Sequence, residues 1–379
     1  MKRTDQIKIL ASGFTDEEFR LYNFAALSRP CDALRYLSNR ANDRLYRPAI
    51  NGSRQKHTLE DKWVSYLYFK SLGIPIPETF GLFHPTFGVT TDGKPLVNAE
   101  EASYLIARSG IDWLVLKPRG GRQGRDIMVI GIEHGQSGVL AVTGDKKTPL
   151  VQFFRDLPFE SFRHYDGSYQ GWILQERVQQ HSDIAAINPT SLNTIRLVTF
   201  INAQGVCEFH FAICRIGRSN SVVDNWAGGG LSVSVDLESG RLGKGVLKPK
   251  YGGGWTSVHP DSGLEFEGVQ LPYWPHVLEV AEKAAKSLPA VRSIGWDIGV
   301  TESGPVVVEG NAEWDLPMVQ IHTKGYLTPN NREKLSGLGV KFPEVLPSLP
   351  VAILRVAIHD WNRSRGPRVL KRMRTWWKG

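Results

Sequence analysis

The sequence of 379 residues predicts an α+β fold, and three observations support this prediction. A glycine-rich turn at residues 119–125 lies between two short apolar runs that read as strands. A second pair of apolar runs, at residues 294–309, is separated by the turn-forming sequence Glu-Ser-Gly-Pro. Short strand-like runs also dominate from residue 178 to 325, with one helix at 275–287 whose apolar side chains share a face. Strands joined by turns, with single helices between them, are typical of an α+β protein.

The N-terminal part is predicted as helices followed by short strands. Residues 58–73 read as a single helix, because Thr58 and Asp61 suit its first turn and Gly73 suits its end. The other expected elements are helical segments over 1–55 with breaks at Pro30 and Pro48, a helix at 100–109, and strands at 74–83, 88–91, 194–201, 207–216 and 231–235.

Two acids and an amide lie on the C-terminal pair of apolar runs. Asp297 lies in Ile-Gly-Trp-Asp-Ile, and Glu309 and Asn311 lie in Val-Val-Val-Glu-Gly-Asn. A hairpin brings the two acids to neighbouring positions, and Asn311, two residues beyond Glu309, points to the same face. Two carboxylates and an amide suit Mg²⁺ or Mn²⁺, and carboxylates in so apolar a run need a partner. The alternative is an ordinary hairpin with solvated acids at its ends.

The glycine-rich turn follows a lysine, Lys117, at the end of the first apolar run. Its glycines let backbone N–H groups close over an anion, and Lys117 supplies a point charge for phosphate. The turn joins strand to strand and has the spacing of neither a Walker A loop nor a Rossmann fingerprint. Combined with the distal acids, it favours phosphate binding over a plain hairpin. The glycines are Gly120, Gly121 and Gly124, and the neighbouring cations are Arg119, Arg122 and Arg125.

Four segments, spanning roughly residues 56–325, resemble the ATP-grasp enzymes and most closely the sugar-transfer-associated ATP-grasp family. They are Asp-Lys at 61–62 with Leu-Gly-Ile-Pro-Ile-Pro at 72–77; Leu-Val-Leu-Lys-Pro at 114–118 with its glycine turn; Trp-Ile-Leu-Gln-Glu at 172–176 with Asn-Thr-Ile-Arg-Leu at 193–197; and His-Pro-Asp-Ser-Gly at 259–263 with the acidic hairpin. The resemblance implies that a nucleotide is held between two α+β lobes, with an N-terminal helical region and a basic C-terminal tail. The implied divisions are 1–55, 56–112, 113–177, 178–330 and 331–379.

The resemblance also implies a nucleotide site that uses ATP with Mg²⁺, or Mn²⁺ in its place. Lys62 and Lys117 would contact the phosphates, and the turn containing Arg119, Gly120, Gly121 and Gly124 would close over them. Adenine and ribose would meet the strand that carries Gln175, Glu176 and Val178. The metal ligands would be Asp297, Glu309 and Asn311.

The chemistry implied by the resemblance is a carboxylate–amine ligation through an acyl phosphate. Arg196 and Arg215 would lie beside the transferred phosphoryl group, and Asn225 with Gly228–Gly230 resembles a stretch of the amino-acid ligases. After Asn311 the chain continues into Ala-Glu-Trp-Asp where many members have Pro-Gly, and Asp315 there would orient the amine. The family's name points to cell-surface polysaccharide or a peptide-like product. The alternatives are a kinase for a small molecule or sugar, and a nucleotide-binding module without turnover. The intact acids and lysines argue against the second.

His259 and Asp261 have two interpretations. They lie in loop-like sequence, where they would serve as a base or as a substrate clamp. The alternative is an ordinary turn formed by Pro-Asp-Ser-Gly.

Charge and cysteine content predict a cytoplasmic enzyme with a basic tail. The three cysteines are odd in number and lack a disulfide pattern, and no apolar run has the length of a signal peptide or membrane helix. From residue 353 onward there are eight Lys and Arg and one acid, which is most of the chain's net charge of +8. Residues 367–378 would form a helix with Trp376 and Trp377 that binds an anionic membrane surface at the inner membrane face. The alternatives are a solvated tail and a helix that docks both tryptophans on the enzyme. Nucleic-acid binding is not expected, because no recognition motif accompanies these charges.

Overall fold

The computed structural model describes residues 1–121, 124–135, 138–159, 169–219, 221 and 224–358. The chain divides into two compact units. One unit combines Met1–Gly52 with the chain from Asp315 onward, and the other is Ser53–Trp314. The second unit contains both lysines, the glycine-rich turn and the acidic hairpin of the predicted site.

The first sheet of the second unit is antiparallel, and its described residues form seven strands in the order β2-β1-β7-β3-β4-β5-β6. The predicted glycine-rich hairpin is confirmed, because β3 and β4 pair on either side of the turn. Strand β7 arrives from later in the chain and inserts between β1 and β3. The strands are β1 (Thr79–Phe83), β2 (Val89–Thr90), β3 (Trp113–Pro118), β4 (Met128–Gly135), β5 (Gly138–Thr143), β6 (Lys146–Pro149) and β7 (Trp172–Glu176).

The second sheet is also antiparallel, with the order β12-β11-β10-β9-β8-β13-β14 among the described strands. The strands predicted at 194–201, 207–216 and 231–235 are confirmed, as is the acidic hairpin formed by β13 and β14. The strands are β8 (Thr194–Ile201), β9 (Cys207–Ile216), β10 (Leu231–Val235), β11 (Leu242–Leu247), β12 (Gly254–Thr256), β13 (Ser293–Thr301) and β14 (Gly304–Asn311).

Each sheet buries one face against helices. The helix Trp274–Ser287 covers the second sheet with Val277, Ala281 and Ala284, which are fully buried and recur at helical spacing. Small side chains at these positions let the helix lie close to the sheet. The described helices of this unit are Arg54–Lys56 (3₁₀), His57–Glu60, Lys62–Ser71, Ala99–Ser109, Leu150–Arg155, Ser182–Ile187, Trp226–Gly228 (3₁₀), Pro249–Tyr251 (3₁₀) and Trp274–Ser287.

The single helix predicted at 58–73 is wrong, because the chain breaks at Asp61. His57–Glu60 is a short helix, and a new helix begins at Lys62 with Asp61 as its extended N-cap residue. The Asp61 carboxylate accepts hydrogen bonds from the backbone N–H groups of Trp63 (3.0 Å) and Val64 (3.3 Å). The strands predicted at 74–83 and 88–91 are present but shorter, because β1 covers only Thr79–Phe83 and β2 only Val89–Thr90.

The first unit is mainly helical, with Gln320 buried at its centre. Gln320 Oε1 accepts from the backbone N–H groups of Leu37 (2.8 Å) and Tyr326 (3.1 Å), while its Nε2 donates to Leu37 O and the Tyr22 hydroxyl. The predicted break at Pro30 is confirmed, because a non-helical stretch ends there and Pro30 begins a helical turn. The break predicted at Pro48 is wrong, because Pro48 lies in the first turn of the helix Arg47–Ile50, where a proline is tolerated. The described helices are Arg3–Ala11, Asp16–Leu21, Phe24–Ala26 (3₁₀), Pro30–Arg35 (3₁₀), Asn39–Ala41, Asn42–Tyr46 (π), Arg47–Ile50, Leu316–Gln320, Pro329–Gly337 and residues 349–358.

The described part of the chain has no helix with the length and apolar content needed to cross a bilayer. The basic helix predicted at 367–378 lies outside the described residues. Cys31, Cys207 and Cys214 are free thiols, and burial raises the pKa of the Cys214 thiol to about 12. A thiol so buried is protonated and inert at neutral pH, which agrees with the absence of a cysteine motif.

Candidate nucleotide and metal site

The hairpin of β13 and β14 places the predicted metal ligands side by side. Asp297 and Glu309 are directly opposed in the strand register, and Gly295 is opposed to Asn311. The Asn311 amide nitrogen lies 3.4 Å from Asp297 Oδ2. Gly295 is needed here, because a Cβ at this position would lie 2.6 Å from the Trp314 Cβ and 3.1 Å from the Arg196 Cδ. The three predicted ligands are therefore brought together, as expected.

Asp297 is buried between two arginines. Arg196 lies opposite Asp297 on β8 and donates from Nε to Oδ1 (2.6 Å) and from Nη2 to Oδ2 (2.9 Å). Arg215 donates from Nη1 to Oδ2 (2.8 Å). Burial alone would raise the pKa of Asp297. The two guanidinium charges and their hydrogen bonds outweigh it, so the pKa lies below its usual value. Asp297 is therefore a carboxylate at neutral pH, with its oxygens directed to the arginines.

A second carboxylate, Asp224, extends this ion-pair network. Arg215 Nη2 donates to Asp224 Oδ1 (2.5 Å), and Asp224 Oδ2 accepts from the Thr194 backbone N–H (3.0 Å) and hydroxyl (2.5 Å). Within the described residues, Arg215 Nε is buried and has no acceptor. A buried charged donor without an acceptor costs free energy, so Arg215 has unused capacity for an anion. Asp224 was not among the site residues predicted from the sequence, although the adjacent Asn225 was.

Lys62 joins the acidic hairpin to the glycine-rich turn. Its Nζ lies 3.6 Å from Glu309 Oε1 and donates a hydrogen bond to the Gly121 carbonyl. The Lys62 backbone N–H also donates to the Arg119 carbonyl (3.1 Å). Lys62 is thus in contact with both the glycine-rich turn and Glu309, one of the predicted metal ligands.

Lys117 is held at the base of the turn by Gln175. Lys117 Nζ donates to Gln175 Oε1 (2.7 Å), and Gln175 Nε2 donates to the Thr79 hydroxyl (3.0 Å). Burial lowers the pKa of Lys117 to about 8, with the Glu309 charge acting in the opposite direction. Gln175 pairs with Thr79 on one side and with Val115 on the other, so its contact with this site is through the side chain.

The buried carboxylate of Asp61 forms an ion pair with the half-buried Arg119, and this pair was not predicted from the sequence. Arg119 donates from Nε to Asp61 Oδ1 (2.8 Å) and from Nη2 to Asp61 Oδ2 (2.5 Å). The side chain of Arg119 was expected to face phosphate, and here it fixes the turn to the start of the Lys62 helix. The only local signal was the N-cap position of Asp61, because its partner lies 58 residues away.

Replacing Asp61 with alanine is expected to lower the free energy of unfolding by about 3 kcal/mol, because it removes a helix cap and leaves Arg119 unpaired. Asn98→Ala is the matched control, since Asn98 caps a helix by accepting from the Glu101 N–H (2.8 Å) without an ion pair. Its expected cost is about 1 kcal/mol. Chemical denaturation measures both, and equal losses would contradict a structural role for the Asp61–Arg119 pair.

The remaining predicted site residues are Gly120, Gly124, Glu176, Val178, Asn225 and Asp315. Glu176 ends β7 with an exposed side chain, and Val178 is half-buried in the loop that follows. A Cβ on Gly120 would lie 2.7 Å from the Tyr169 Cβ, and Gly124 has φ +67°, so both positions favour glycine. The Asn225 carbonyl accepts from the Gly228 and Gly230 N–H groups. Asp315 belongs to the first unit and precedes the helix Leu316–Gln320.

His259 is part of a turn and has no free ring nitrogen. Its Nε2 lies 2.8 Å from the Gly217 carbonyl, and its Nδ1 accepts from the Ser262 N–H (3.2 Å). Asp261 accepts from the Ser219 N–H (2.6 Å). These bonds tie the loop at 259–263 to the end of β9, which favours the turn interpretation over a catalytic base.

The donor set fits a magnesium ion that completes its coordination with phosphate oxygens. Glu309 is partly exposed and Asn311 lies beside it, whereas both Asp297 oxygens accept from arginines. Among the described residues no group of three or more His, Cys, Asp or Glu is arranged to hold a metal by itself. Glu309 and Asn311 are thus the groups best placed to meet a metal carried in with phosphate, and the role of Asp297 as a ligand stays a prediction.

Comparison with known proteins gives a family match over most of the chain. Residues 40–334 match the family model described as sugar-transfer associated ATP-grasp. No curated protein matches the sequence.

Several solved structures resemble the chain at low identity. Biotin carboxylase from Campylobacter jejuni is 13% identical with a TM-score of 0.40, and the match covers 73% of this chain and 48% of that one. D-alanine–D-alanine ligase from Bacillus anthracis is 14% identical with a TM-score of 0.35, covering 80% and 69%. N5-carboxyaminoimidazole ribonucleotide synthetase from Thermotoga maritima is 13% identical with a TM-score of 0.34, covering 68% and 42%. This chain therefore spans less than half the length of two of these three proteins.

Proposed function

Because the chain belongs to the sugar-transfer associated ATP-grasp family, we propose that it is an ATP-dependent carboxylate–amine ligase. The family match confirms the predicted ATP-grasp fold. The observation that most supports the proposed reaction is the arrangement of Arg215. It is bound to two buried carboxylates, the charge of Glu309 acts on it, and its buried Nε–H has no acceptor in the described residues. Such a fixed cation can stabilise the charge that develops on a transferred phosphoryl group.

Lys62 and Lys117 bind the phosphates of ATP in this proposal. Both lie beside the glycine-rich turn, whose backbone N–H groups can close over an anion. Mg²⁺ held by Glu309 and Asn311, with Asp297 near, would neutralise phosphate charge. Glu176 at the end of β7 and Val178 in the loop that follows would border the base and ribose.

Arg196 and Arg215 orient the reacting groups. The substrate carboxylate attacks the terminal phosphorus of ATP, which forms an acyl phosphate and releases ADP. The amine then attacks the acyl carbon, the carbon–oxygen bond to phosphate breaks, and inorganic phosphate leaves as the amide forms. Asp297 and Asp224 hold Arg215 from both sides, so its position is fixed before substrate binds.

The hydrogen bonding of the site favours this ligase over a kinase. Transfer to a hydroxyl is assisted by a base that takes the proton of the hydroxyl, whereas a carboxylate is already ionised. The described acids beside Arg215, Asp224 and Asp297, accept from guanidinium groups, and His259 uses both ring nitrogens. The substrates are then a carboxylic acid and an amine, in the setting of a cell-surface polysaccharide or peptide-like product.

The test is a phosphate-release assay with Mg·ATP, in which pooled carboxylic acids and pooled amines are offered separately and together. We expect ADP and phosphate only with both pools, and a product that mass spectrometry finds lighter by one water than its two parents. A stable phosphorylated product from one pool would establish a kinase. ATP binding without turnover in any pool would contradict the ligase.

A further inference from the structure

The connection between β11 and β12 carries two lysines and a tyrosine, and Trp255 on β12 lies on the same face of the second sheet as Arg215. The strand register opposes Arg215 to Ser232, Ser232 to Val246, and Val246 to Trp255. Directly opposed residues in antiparallel strands share a face, so Trp255 lies three strands from Arg215, or about 14 Å at ordinary strand spacing. The Trp255 side chain is 55% exposed on β12, at the edge of the sheet.

The cations of this region rest on aromatic faces. Lys250 Nζ lies 4.6 Å from the centroid of the Tyr251 ring, and the Arg218 guanidinium lies 6.0 Å from the same centroid. Lys248 Nζ lies 4.5 Å from the Trp226 ring. We call Arg218, Lys248, Lys250, Tyr251 and Trp255 the basic-aromatic cluster. Among the described residues, none of its three cations has a carboxylate within ion-pair distance.

The backbone leaves space beside these rings. Gly252 and Gly254 have φ angles of +101° and +98°, and a Cβ on either would meet nothing within 4 Å. Arg218 is held in place, because its Nε donates to the Gly229 carbonyl. A fixed arginine, two lysines and an accessible tryptophan next to open space are the groups that recognise an anion attached to a flat or apolar body.

We propose that the basic-aromatic cluster binds a second anionic group, a phosphate or carboxylate, of an extended substrate. This inference rests on the proposed ligase, in which the reacting end of the substrate lies at Arg215. The ring or apolar segment next to the anion would lie against Trp255, about 14 Å from Arg215 at ordinary strand spacing. Binding energy from this remote group positions the reacting end, so short acids or amines are poor substrates.

Anion binding is tested on the full chain by calorimetry, with and without a non-hydrolysable ATP analogue and Mg²⁺. Inorganic phosphate and citrate are the two probes, and they distinguish phosphate from carboxylate recognition. We expect one probe to bind the wild type, with an affinity lower by about fivefold or more in Lys250→Gln and in Arg218→Gln, as for the loss of one charge-assisted contact. Lys146→Gln is the matched control, because Lys146 is an exposed lysine on β6 of the other sheet, and it should bind like the wild type.

Failure of the cluster and failure of the ligase give different results. Binding of neither probe, or equal affinities in all the variants, would overturn the cluster as an anion site, whatever the affinity for nucleotide. If the probe binds through Lys250 and Arg218 but the protein does not bind the ATP analogue, the cluster remains an anion site and the proposed ligase is contradicted.

A second surface, independent of the first, lies on the helix at residues 349–358. Val351, Leu354 and Ile358 recur at helical spacing and are all exposed, Leu354 to 60%, and Ile353 is exposed beside them. The chain continues into a sequence with seven Lys and Arg, one acid, and the pair Trp376 and Trp377. Exposed apolar side chains next to a strongly positive segment complement an anionic surface with an apolar interior.

We infer that the exposed apolar side chains of this helix attach the protein to an anionic lipid bilayer. Full-length protein is sedimented with vesicles of phosphatidylcholine alone or of phosphatidylcholine with phosphatidylglycerol. We expect binding only to the anionic vesicles, weakened at about 300 mM salt because the charges are screened. The double variant Leu354→Gln/Ile358→Gln should bind at least about fivefold more weakly, because it removes two apolar side chains that would enter the bilayer. The control Val206→Gln, at an exposed valine of the other unit, should match the wild type.

Three results would overturn this attachment. They are equal sedimentation with both vesicle types, absence of sedimentation, and a double variant that binds like the wild type. Competition by RNA with no contribution from Leu354 and Ile358 would assign the basic segment to nucleic acid.

Discussion

Replacing Asp297 with asparagine is expected to abolish ATP turnover and to lower the free energy of unfolding by about 3–5 kcal/mol. The carboxylate is 5% exposed and holds Arg196 and Arg215 through three hydrogen bonds of 2.6–2.9 Å. Without its charge, two buried guanidinium groups lose their common partner. Turnover is measured as phosphate release and stability by chemical denaturation.

Two further variants distinguish a loss of stability from a loss of turnover. Glu133→Gln removes the exposed pair with Lys147 and should change stability by less than about 1 kcal/mol. Glu309→Gln removes a partly exposed acid that lies 3.6 Å from Lys62, so it should fold normally and still lose turnover. A folded Glu309→Gln enzyme with wild-type activity would contradict the proposed metal role, and a stable Asp297→Asn enzyme would contradict the ion-pair network.

Replacing Lys117 with methionine is expected to weaken ATP binding by about 10- to 150-fold, the contribution of a hydrogen bond to a charged group. The variant should be no less stable than the wild type at neutral pH, because it removes the cost of a buried positive charge. Calorimetric titration with Mg·ATP and thermal unfolding check the two expectations. Lys146→Met is the control for the loss of an exposed lysine.

The same lysine predicts a pH dependence. Burial lowers the pKa of Lys117 to about 8, below its value of about 10.4 in an unfolded chain. The unfolded state therefore binds more protons between these values, so the contribution of Lys117 to stability rises with pH across that window. Affinity for ATP should fall over the same window as the free enzyme loses this charge. Lys117→Met should lack both trends, and a wild-type ATP affinity independent of pH from 7 to about 10 would contradict this role for Lys117.

The strands and hairpins of the site could be predicted from local sequence. Apolar runs separated by turn residues identified β3 with β4 and β13 with β14, and the spacing of Asp297, Glu309 and Asn311 placed them on one face. These signals are local, because a hairpin brings together residues that are close in the chain.

The partners of these residues could not be predicted, because they depend on the pairing of distant strands. Arg196 meets Asp297 across 101 residues through the β8–β13 register, and Lys117 meets Gln175 across 58 residues because β7 inserts beside β3. The ion pair of Asp61 and Arg119 joins a helix cap to a turn in the same way. An amphipathic or apolar pattern specifies the face of a strand but not the neighbour it will contact.

In the proposed reaction, a substrate carboxylate becomes an acyl phosphate at Arg215. The most direct test of this step uses a carboxylic acid whose carboxylate carries isotopically labelled oxygen, incubated with Mg·ATP, the amine and the enzyme. We expect one labelled oxygen in the released phosphate and one in the amide product, since the bond between the acyl carbon and the phosphate-bound oxygen breaks. Released phosphate without label would contradict the acyl phosphate and the function proposed for this site.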